Sequence, residues 1–189
     1  MGRRESDIPL DPGVQRVVLL GYMASGKSTV GAALARRLDW NFLDFDVEIE
    51  QREGRTVKEI IEMWGEERFR DMEAALTSEA ASAVRLVMAP GGGWITRPEL
   101  LGMLGGETLR VWLRVSVDET VRRLRADTID RPFKELDDPT PMIAQMLAER
   151  ESLYRLADVA LPADGRSVES LAFEVEQVVR TRAGCRAEV

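Results

Sequence analysis

The residues 21–28 constrain this chain more than any other part of its sequence. Their letters, GYMASGKS, fit the pattern G-x-x-x-x-G-K-[ST] of a phosphate-binding loop. In such a loop, backbone N–H groups wrap the β-phosphate of a nucleotide, the lysine contacts the β- and γ-phosphate oxygens, and the hydroxyl holds Mg²⁺. The octet therefore predicts a site for a nucleoside triphosphate and its metal ion.

The segments on either side of the octet meet the structural requirement of this motif. Residues 16–20 are a short apolar run, typical of a buried strand, and apolar residues recur at helical spacing from Val30 to Leu38. A helix that begins at Lys27 adds its N-terminal partial positive charge to the anion site. The residues predicted to bind the nucleotide here are Gly21, Ala24, Ser25, Gly26, Lys27, Ser28 and Thr29.

Composition limits the class of protein. A chain of 189 residues, 44% hydrophobic and 31% charged, is typical of one globular domain. A net charge of −7 argues against a nucleic-acid partner, and the sequence holds no apolar run of membrane-helix length. The single cysteine, Cys185, allows no internal disulfide, which favours a reducing compartment and predicts a cytoplasmic protein. Nothing indicates an obligate interface, so a monomer is expected.

The chain contains no histidine. This excludes the Ser-His-Asp and Cys-His nucleophile systems and every histidine-ligated metal site. The chemistry must use carboxylates, lysine, arginine and a hard cation, which is the set that phosphoryl transfer requires. Only three lysines accompany 23 arginines, so the lysine of the octet is not there through general lysine abundance.

Strands alternate with helices along the chain. Further strands are predicted at 42–45, 85–89, 108–113 and 158–161, and the intervening helices include 56–80, with a break at Gly65, 141–156 and 167–181. This alternation predicts an α/β fold with a parallel sheet and helices on both faces. The expected organisation is a flexible extension at 1–15, one domain at 16–182 with a mobile segment at 127–139, and a tail at 183–189.

Ligands of such sheets bind beyond the carboxyl ends of the strands, so the residues there are the candidates for chemistry. Asp44 and Asp46 follow the second strand and can face the same crevice. One carboxylate can hold the water shell of Mg²⁺ and the other can take the proton of an alcohol; the alternative is that one of them only caps a helix. Gly91, Gly92 and Gly93 follow the third strand and predict a wall of the substrate pocket, with a simple tight turn as the alternative.

These features together resemble the shikimate kinases, from about Val17 to Val179. The shared elements, in order, are the phosphate-binding loop, Asp-x-Asp at 44–46, Gly-Glu-x-x-Phe-Arg at 65–70, three glycines at 91–93, Arg-Pro at 131–132 and Glu-Arg-x-x-Leu-Tyr at 149–154. The resemblance implies a three-layer P-loop kinase fold with a five-stranded parallel sheet and a mobile lid. It also implies phosphorylation of the 3-hydroxyl of shikimate by ATP with Mg²⁺.

The resemblance assigns roles to matching positions on the acceptor side. Asp46 is implied to hold a ring hydroxyl and to act as the base toward the attacking one. Arg70 and Arg150 are implied to bind the shikimate carboxylate, which suits the planar guanidinium group. Gly92 and Gly93 are implied to donate backbone N–H groups to the substrate, and Gly91 is expected to bind the substrate beside them.

Roles are also implied on the nucleotide side. Asp44 and Ser28 would hold Mg²⁺, beside the catalytic Lys27 of the loop. Arg131, on the lid, would reach the γ-phosphate and neutralise charge in the transition state. The adenine would lie between Arg123 and the 162–167 loop, which contains Arg166.

Two positions depart from the family pattern near the acceptor. Ile61 stands where a phenylalanine is usual, and Phe133 changes an apolar wall of the lid. They keep open a P-loop kinase for another hydroxylated ring or sugar acid. A non-catalytic sensor of a related ligand is the other alternative, and the retention of every charged site residue argues against it.

Overall fold

A computed structural model describes residues 13–126, 133 and 136–184, with side chains to residue 182. Arg131, most of the predicted lid, Cys185 and nearly all of the predicted N-terminal extension lie outside these residues. None of the helices within the described ranges is both long enough and apolar enough to cross a membrane.

The observed elements alternate as the sequence predicts. The strands are β1 (Arg16–Leu20), β2 (Asn41–Asp44), β3 (Leu86–Ala89), β4 (Thr108–Arg114) and β5 (Val159–Pro162). The helices are α1 (Lys27–Leu38), α2 (Phe45–Glu53), α3 (Val57–Ala80), α4 (Glu99–Met103), α5 (Val117–Ala126), α6 (Thr140–Tyr154) and α7 (Val168–Gly184), with a 3₁₀ turn at Trp94–Thr96.

The five strands form one parallel sheet in the order β2-β3-β1-β4-β5. Central β1 pairs with β3 in a register that joins Val17 to Val87, and with β4 in a register that joins Val17 to Leu109. All five strands have the same direction, so their carboxyl ends lie at one edge. This edge receives the loop after β1, the acids after β2 and the glycines after β3.

Each face of the sheet has its own apolar core. Val17 and Leu19 pack with α1 and α7 on one face, whereas Val18 and Leu20 pack with α2, α3 and α4 on the other. Successive strand residues point to opposite faces, so a strand that is covered on both faces is apolar at successive positions, as β1 is from Val17 to Leu20. This confirms the predicted three-layer arrangement.

The second predicted strand ends one residue early. It was expected at 42–45, but α2 already begins at Phe45, because the Asp44 carboxylate accepts a hydrogen bond from the N–H of Val47 at 3.4 Å. A side-chain oxygen in this position caps the free N–H groups of a first helical turn. The predicted break at Gly65 is confirmed: its backbone angles are φ 84° and ψ 158° inside α3.

Substitution of Gly65 by alanine is expected to lower the free energy of unfolding by about 1–3 kcal/mol, since only glycine adopts these angles without strain. A Cβ atom at Gly65 would meet no atom within 4 Å, so the cost is conformational and not steric. Urea unfolding measures it. Gly102, which also has open space around it but lies in α4, is the control. Gly102→Ala is expected to stabilise the protein, and an equal effect of both substitutions would contradict the interpretation.

Candidate active site

A cleft of about 750 Å³ opens at the carboxyl edge of the sheet. The phosphate-binding loop, the acids after β2, the glycine loop, the end of α5 and the turn before α7 line it. It contains twelve residues predicted from the sequence: Ala24, Ser25, Gly26, Lys27, Ser28, Thr29, Asp44, Asp46, Gly91, Gly92, Arg123 and Arg166. Four other predicted residues do not line this cleft: Gly21, Arg70, Gly93 and Arg150. Gly93 belongs to the glycine loop at its wall, and Arg70 and Arg150 contact that loop.

The phosphate-binding loop has the strand–loop–helix context that its motif requires. The Lys27 ammonium is largely buried and donates hydrogen bonds to the carbonyls of Gly21 and Tyr22, at 2.9 and 3.0 Å. These bonds hold the lysine against its own loop, at the N-terminus of α1. Ala24 has a φ of 57°, a left-handed conformation that a glycine would adopt at lower cost.

The two acids after β2 have separate positions. Asp44 caps α2 and also lines the cleft, so the cap does not remove this residue from the candidate site. Asp46 lies in the first turn of α2, half-buried, with its carboxylate directed at the glycine loop. A Cβ atom added at Gly91 would lie 3.0 Å from Asp46 Oδ1. The Asp44 carboxylate therefore contacts the first turn of α2, whereas the Asp46 carboxylate lies next to the glycines.

The glycine loop, residues 91–93, packs closely between the phosphate-binding loop and Arg70 of α3. A Cβ atom at Gly92 would lie 3.0 Å from the backbone nitrogen of Met23, in the phosphate-binding loop. At Gly93 the same addition would overlap the Arg70 guanidinium, 2.6 Å from its Cζ. Side chains at these positions would separate elements that now touch. Gly92 and Gly93 are therefore required by close approach of other protein groups, and the predicted contact of this loop with the substrate stays a prediction.

Arg70 is held by two carboxylates of its own helix. Its NH1 lies 2.6 Å from Glu73 Oε2, and its NH2 lies 2.7 Å from Glu66 Oε1. The Glu73 side chain is fully buried. Burial raises the pKa of the Glu73 carboxyl to about 7, against the lowering effect of Arg70, and the nearby charge of Asp46 adds to the rise. Sequence reasoning missed Glu73, although its i,i+3 spacing from Arg70 was a usable signal.

Arg150 reaches the glycine loop from α6. Its NH1 donates to the carbonyl of Gly92 at 3.3 Å, and the Tyr154 hydroxyl donates to the same carbonyl at 3.2 Å. Burial raises the pKa of Tyr154 to about 12, so this phenol stays protonated and donates. Arg70 and Arg150 thus meet one three-residue loop from two different helices. Their convergence on a single anion stays a prediction of the sequence.

Arg123 connects the phosphate-binding loop to the segment after β5 at one end of the cleft. Its NH1 donates to the carbonyls of Ala24 and Ser25, both at 3.3 Å, and its NH2 donates to the carbonyl of Ala163 at 2.7 Å. Glu119, whose pairing with Arg123 was not predicted from the sequence, lies 2.6 Å from Arg123 Nε, and hydrogen bonds from Arg122 and Arg123 lower its pKa to about 2. The predicted partner in the 162–167 loop, Arg166, lines the same end of the cleft.

Comparison with known proteins identifies the family. A sequence model described as "Shikimate kinase" matches residues 23–180. The chain belongs to the shikimate kinase family. A shikimate kinase of Rhodopseudomonas palustris is 40% identical over 158 residues, which cover 84% of this chain and 77% of that protein. One from Moorella thermoacetica is 37% identical over 164 residues, 87% of this chain and 94% of the relative.

Solved structures agree with this membership. The shikimate kinase of Acinetobacter baumannii, in complex with shikimate, superposes with a TM-score of 0.82 and 32% identity. The match covers 89% of this chain and 94% of that chain. The predicted P-loop kinase fold is thereby confirmed for this member of the shikimate kinase family.

In a shikimate kinase with this geometry, Gly93→Ala is expected to raise the KM for shikimate at least about tenfold, because the new methyl group displaces Arg70 from the loop. The displaced group is the end of a flexible side chain, so folding is preserved. The KM for ATP is expected to change less than about twofold. Initial-rate kinetics with each substrate varied in turn measure both. Equal rises in both constants would contradict a local displacement of Arg70.

Proposed function

We propose that this cleft transfers the γ-phosphoryl group of ATP to the 3-hydroxyl of shikimate, giving ADP and shikimate 3-phosphate. As a member of the shikimate kinase family, the protein is an ATP-dependent kinase of shikimate that uses Mg²⁺. The observation that carries the assignment of residues is the position of the glycine loop. Gly91 lies against Asp46, and Gly93 lies against Arg70. Gly92 lies against Met23 of the phosphate-binding loop, and its carbonyl accepts a hydrogen bond from Arg150.

The residues divide into two groups along this loop. On the acceptor side, Arg70 and Arg150 bind the shikimate carboxylate, and their guanidinium groups fix the ring by charge-assisted hydrogen bonds. Asp46 accepts the proton of the attacking hydroxyl. Because the two arginines fix the ring, the attacking hydroxyl is directed toward the phosphate-binding loop, on the other side of the glycine loop. Positioning of this kind supplies much of the rate enhancement in phosphoryl transfer.

On the donor side, the backbone N–H groups at the N-terminus of α1 bind phosphate oxygens, and Lys27 neutralises charge on the transferred group. Arg123 and Arg166 form the adenine end. Arg131 stays a prediction of the sequence, as a residue of the lid that reaches the γ-phosphate. Each group acts by charge and orientation, without a covalent intermediate.

The donor set fits Mg²⁺. Within the described ranges no three acidic, histidine or cysteine side chains cluster as a metal site. Mg²⁺ bound with a nucleotide needs only one or two protein oxygens, the rest coming from phosphates and water. The Ser28 hydroxyl and the Asp44 carboxylate, which line the same cleft, supply hard oxygens of this kind. When bound there, the ion neutralises the negative charge of the phosphates.

Three expectations on partners and location stay predictions of the sequence. The negative net charge predicts that no nucleic acid is bound, and no feature of the chain predicts an obligate oligomer, so we expect a monomer. The single cysteine favours a cytoplasmic location.

The test is ADP release from Mg·ATP with shikimate as acceptor, beside a panel of other hydroxylated ring acids and sugar acids. We expect turnover with shikimate to exceed turnover with every other acid. The phosphorus–proton coupling in the NMR spectrum of the product identifies the phosphorylated hydroxyl. A better acceptor among the other acids would show that Ile61 and Phe133 have changed the pocket, and phosphate at another hydroxyl would overturn the assignment of the 3-position.

A further inference from the structure

We propose that Tyr22, inside the phosphate-binding loop, is a positioning residue that holds Arg150 in place for the acceptor carboxylate. The loop pattern leaves this position open to any residue, and no phosphate contact is expected from its side chain. The inference rests on the proposed function, in which Arg150 binds that carboxylate. It adds a role for a residue that sequence reasoning passed over.

The Tyr22 side chain is fixed by the two helices beyond the loop. It is only 2% exposed and packs with Leu124 of α5 and Ile143 of α6 in a small apolar cluster. Its hydroxyl lies 3.2 Å from the sulfur of Met146, also on α6. A large ring held on this many sides has little rotational freedom, so it can act as a rigid surface for a neighbouring group.

Arg150 lies against that surface. Its Cζ is 5.7 Å from the centroid of the Tyr22 ring, within the range at which a guanidinium is attracted to an aromatic face. The other contacts that hold Arg150 are the carbonyl of Gly92 and the hydroxyl of Tyr154. All three partners are uncharged. In the described part of the chain, no carboxylate lies within ion-pair distance of Arg150.

This arrangement differs from that of the other acceptor arginine. Arg70 is paired with Glu66 and Glu73, so carboxylates of its own helix already offset its charge. Arg150 is oriented by a ring, a carbonyl and a hydroxyl, which leave its full charge for an incoming anion. An acidic residue at position 22 would orient Arg150 equally well but would compete with the substrate carboxylate. An aromatic ring orients the guanidinium without neutralising it.

The backbone of Tyr22 connects the same residue to the donor side. Its carbonyl accepts from Lys27 Nζ at 3.0 Å, and its carbonyl carbon lies 3.4 Å from the position that a Cβ atom at Gly92 would take. One residue therefore contacts the catalytic lysine, the glycine loop and the acceptor arginine. A shift of the Tyr22 ring moves Arg150 relative to the phosphate-binding loop.

The test compares Tyr22→Leu with Tyr22→Phe. Leucine fills much of the apolar site but has no aromatic face, so the KM for shikimate is expected to rise about tenfold, with the KM for ATP changed less than about twofold. Phenylalanine keeps the face and is expected to restore the KM for shikimate to within about threefold of the parent value. Initial-rate kinetics of both variants measure these constants, and thermal unfolding measures their stability.

Two further measurements separate positioning of Arg150 from general damage. The first uses the methyl ester of shikimate, which has no carboxylate charge: Tyr22→Leu is expected to leave its KM unchanged. The second repeats Tyr22→Leu in an Arg150→Met background, where the leucine is expected to add no further rise in the KM for shikimate, since the group that it misplaces is gone.

The outcomes distinguish this inference from the function on which it rests. Arg150→Met alone is expected to raise the KM for shikimate at least about 30-fold. If it does not, the proposed carboxylate role of Arg150 is wrong. If it does, but Tyr22→Leu leaves the KM for shikimate unchanged, or raises the constants for shikimate and its methyl ester equally, only the role of Tyr22 is overturned.

Discussion

Asp46→Asn is expected to lower kcat for shikimate phosphorylation at least about 100-fold, the usual contribution of a general base. Asparagine has the same shape and can still accept a hydrogen bond from a ring hydroxyl, but it cannot take up its proton. The KM for shikimate is therefore expected to change less than about threefold. Initial-rate kinetics with shikimate varied and ATP saturating measure kcat and the KM for shikimate separately.

The matched control is Asp118→Asn. Asp118 occupies the same place in α5 as Asp46 does in α2, the second residue of the first turn, but it is exposed and lies outside the cleft. Both substitutions remove a carboxylate that interacts favourably with a helix N-terminus. Asp118→Asn is expected to leave kcat unchanged. A loss of less than about tenfold in Asp46→Asn would remove the role of Asp46 as base.

Lys27→Met is expected to lower kcat by about 100-fold to 1,000-fold, the usual loss when one preorganised group that stabilises transition-state charge is removed. Methionine keeps the length and the apolar part of the side chain but has no ammonium group. The hydrogen bonds from Lys27 to Gly21 and Tyr22 are also lost, so a small decrease in melting temperature is expected as well. Single-turnover kinetics with saturating Mg·ATP isolate the chemical step from binding.

Lys58→Met controls for the loss of a lysine. Lys58 is exposed near the start of α3, as Lys27 stands at the start of α1, but it lies outside the cleft. We expect this variant to keep the parental kcat. A Lys27→Met enzyme with more than about one-tenth of the parental kcat would show that the lysine only binds the nucleotide.

Much of the fold followed from local sequence patterns. The apolar runs predicted the strands within one residue, because a strand that is covered on both faces is largely apolar. The helix that begins at Lys27 was predicted from helical spacing after a glycine-rich loop. One of these one-residue differences, at the end of β2, has a clear cause: Asp44 caps a helix and so ends the strand at its own position. Capping depends on one side-chain oxygen, which a hydrophobic pattern does not report.

The acidic partners of the site were harder to predict. Glu73 and Glu119 both hold arginines that the sequence had indicated, yet neither pairing was predicted. In a chain with 33 acidic residues, a carboxylate three or four positions from an arginine is common and most such pairs are solvated. Only the tertiary structure shows that the Glu73 side chain is fully buried and close enough to Asp46 for that carboxylate to raise its pKa.

The sequence by itself determined the class of fold and the phosphate-binding loop, and it supplied the charged residues for which we predict roles, because each depends on residue type and local spacing. The tertiary structure decided which of these residues meet. It placed the ring of Tyr22 against Arg150, 128 positions away in the chain. It also buried Arg16, which bonds to Thr108 and to the carbonyls of Ala83 and Leu104. Contacts between distant residues depend on how helices pack around the sheet, and no local pattern encodes that packing.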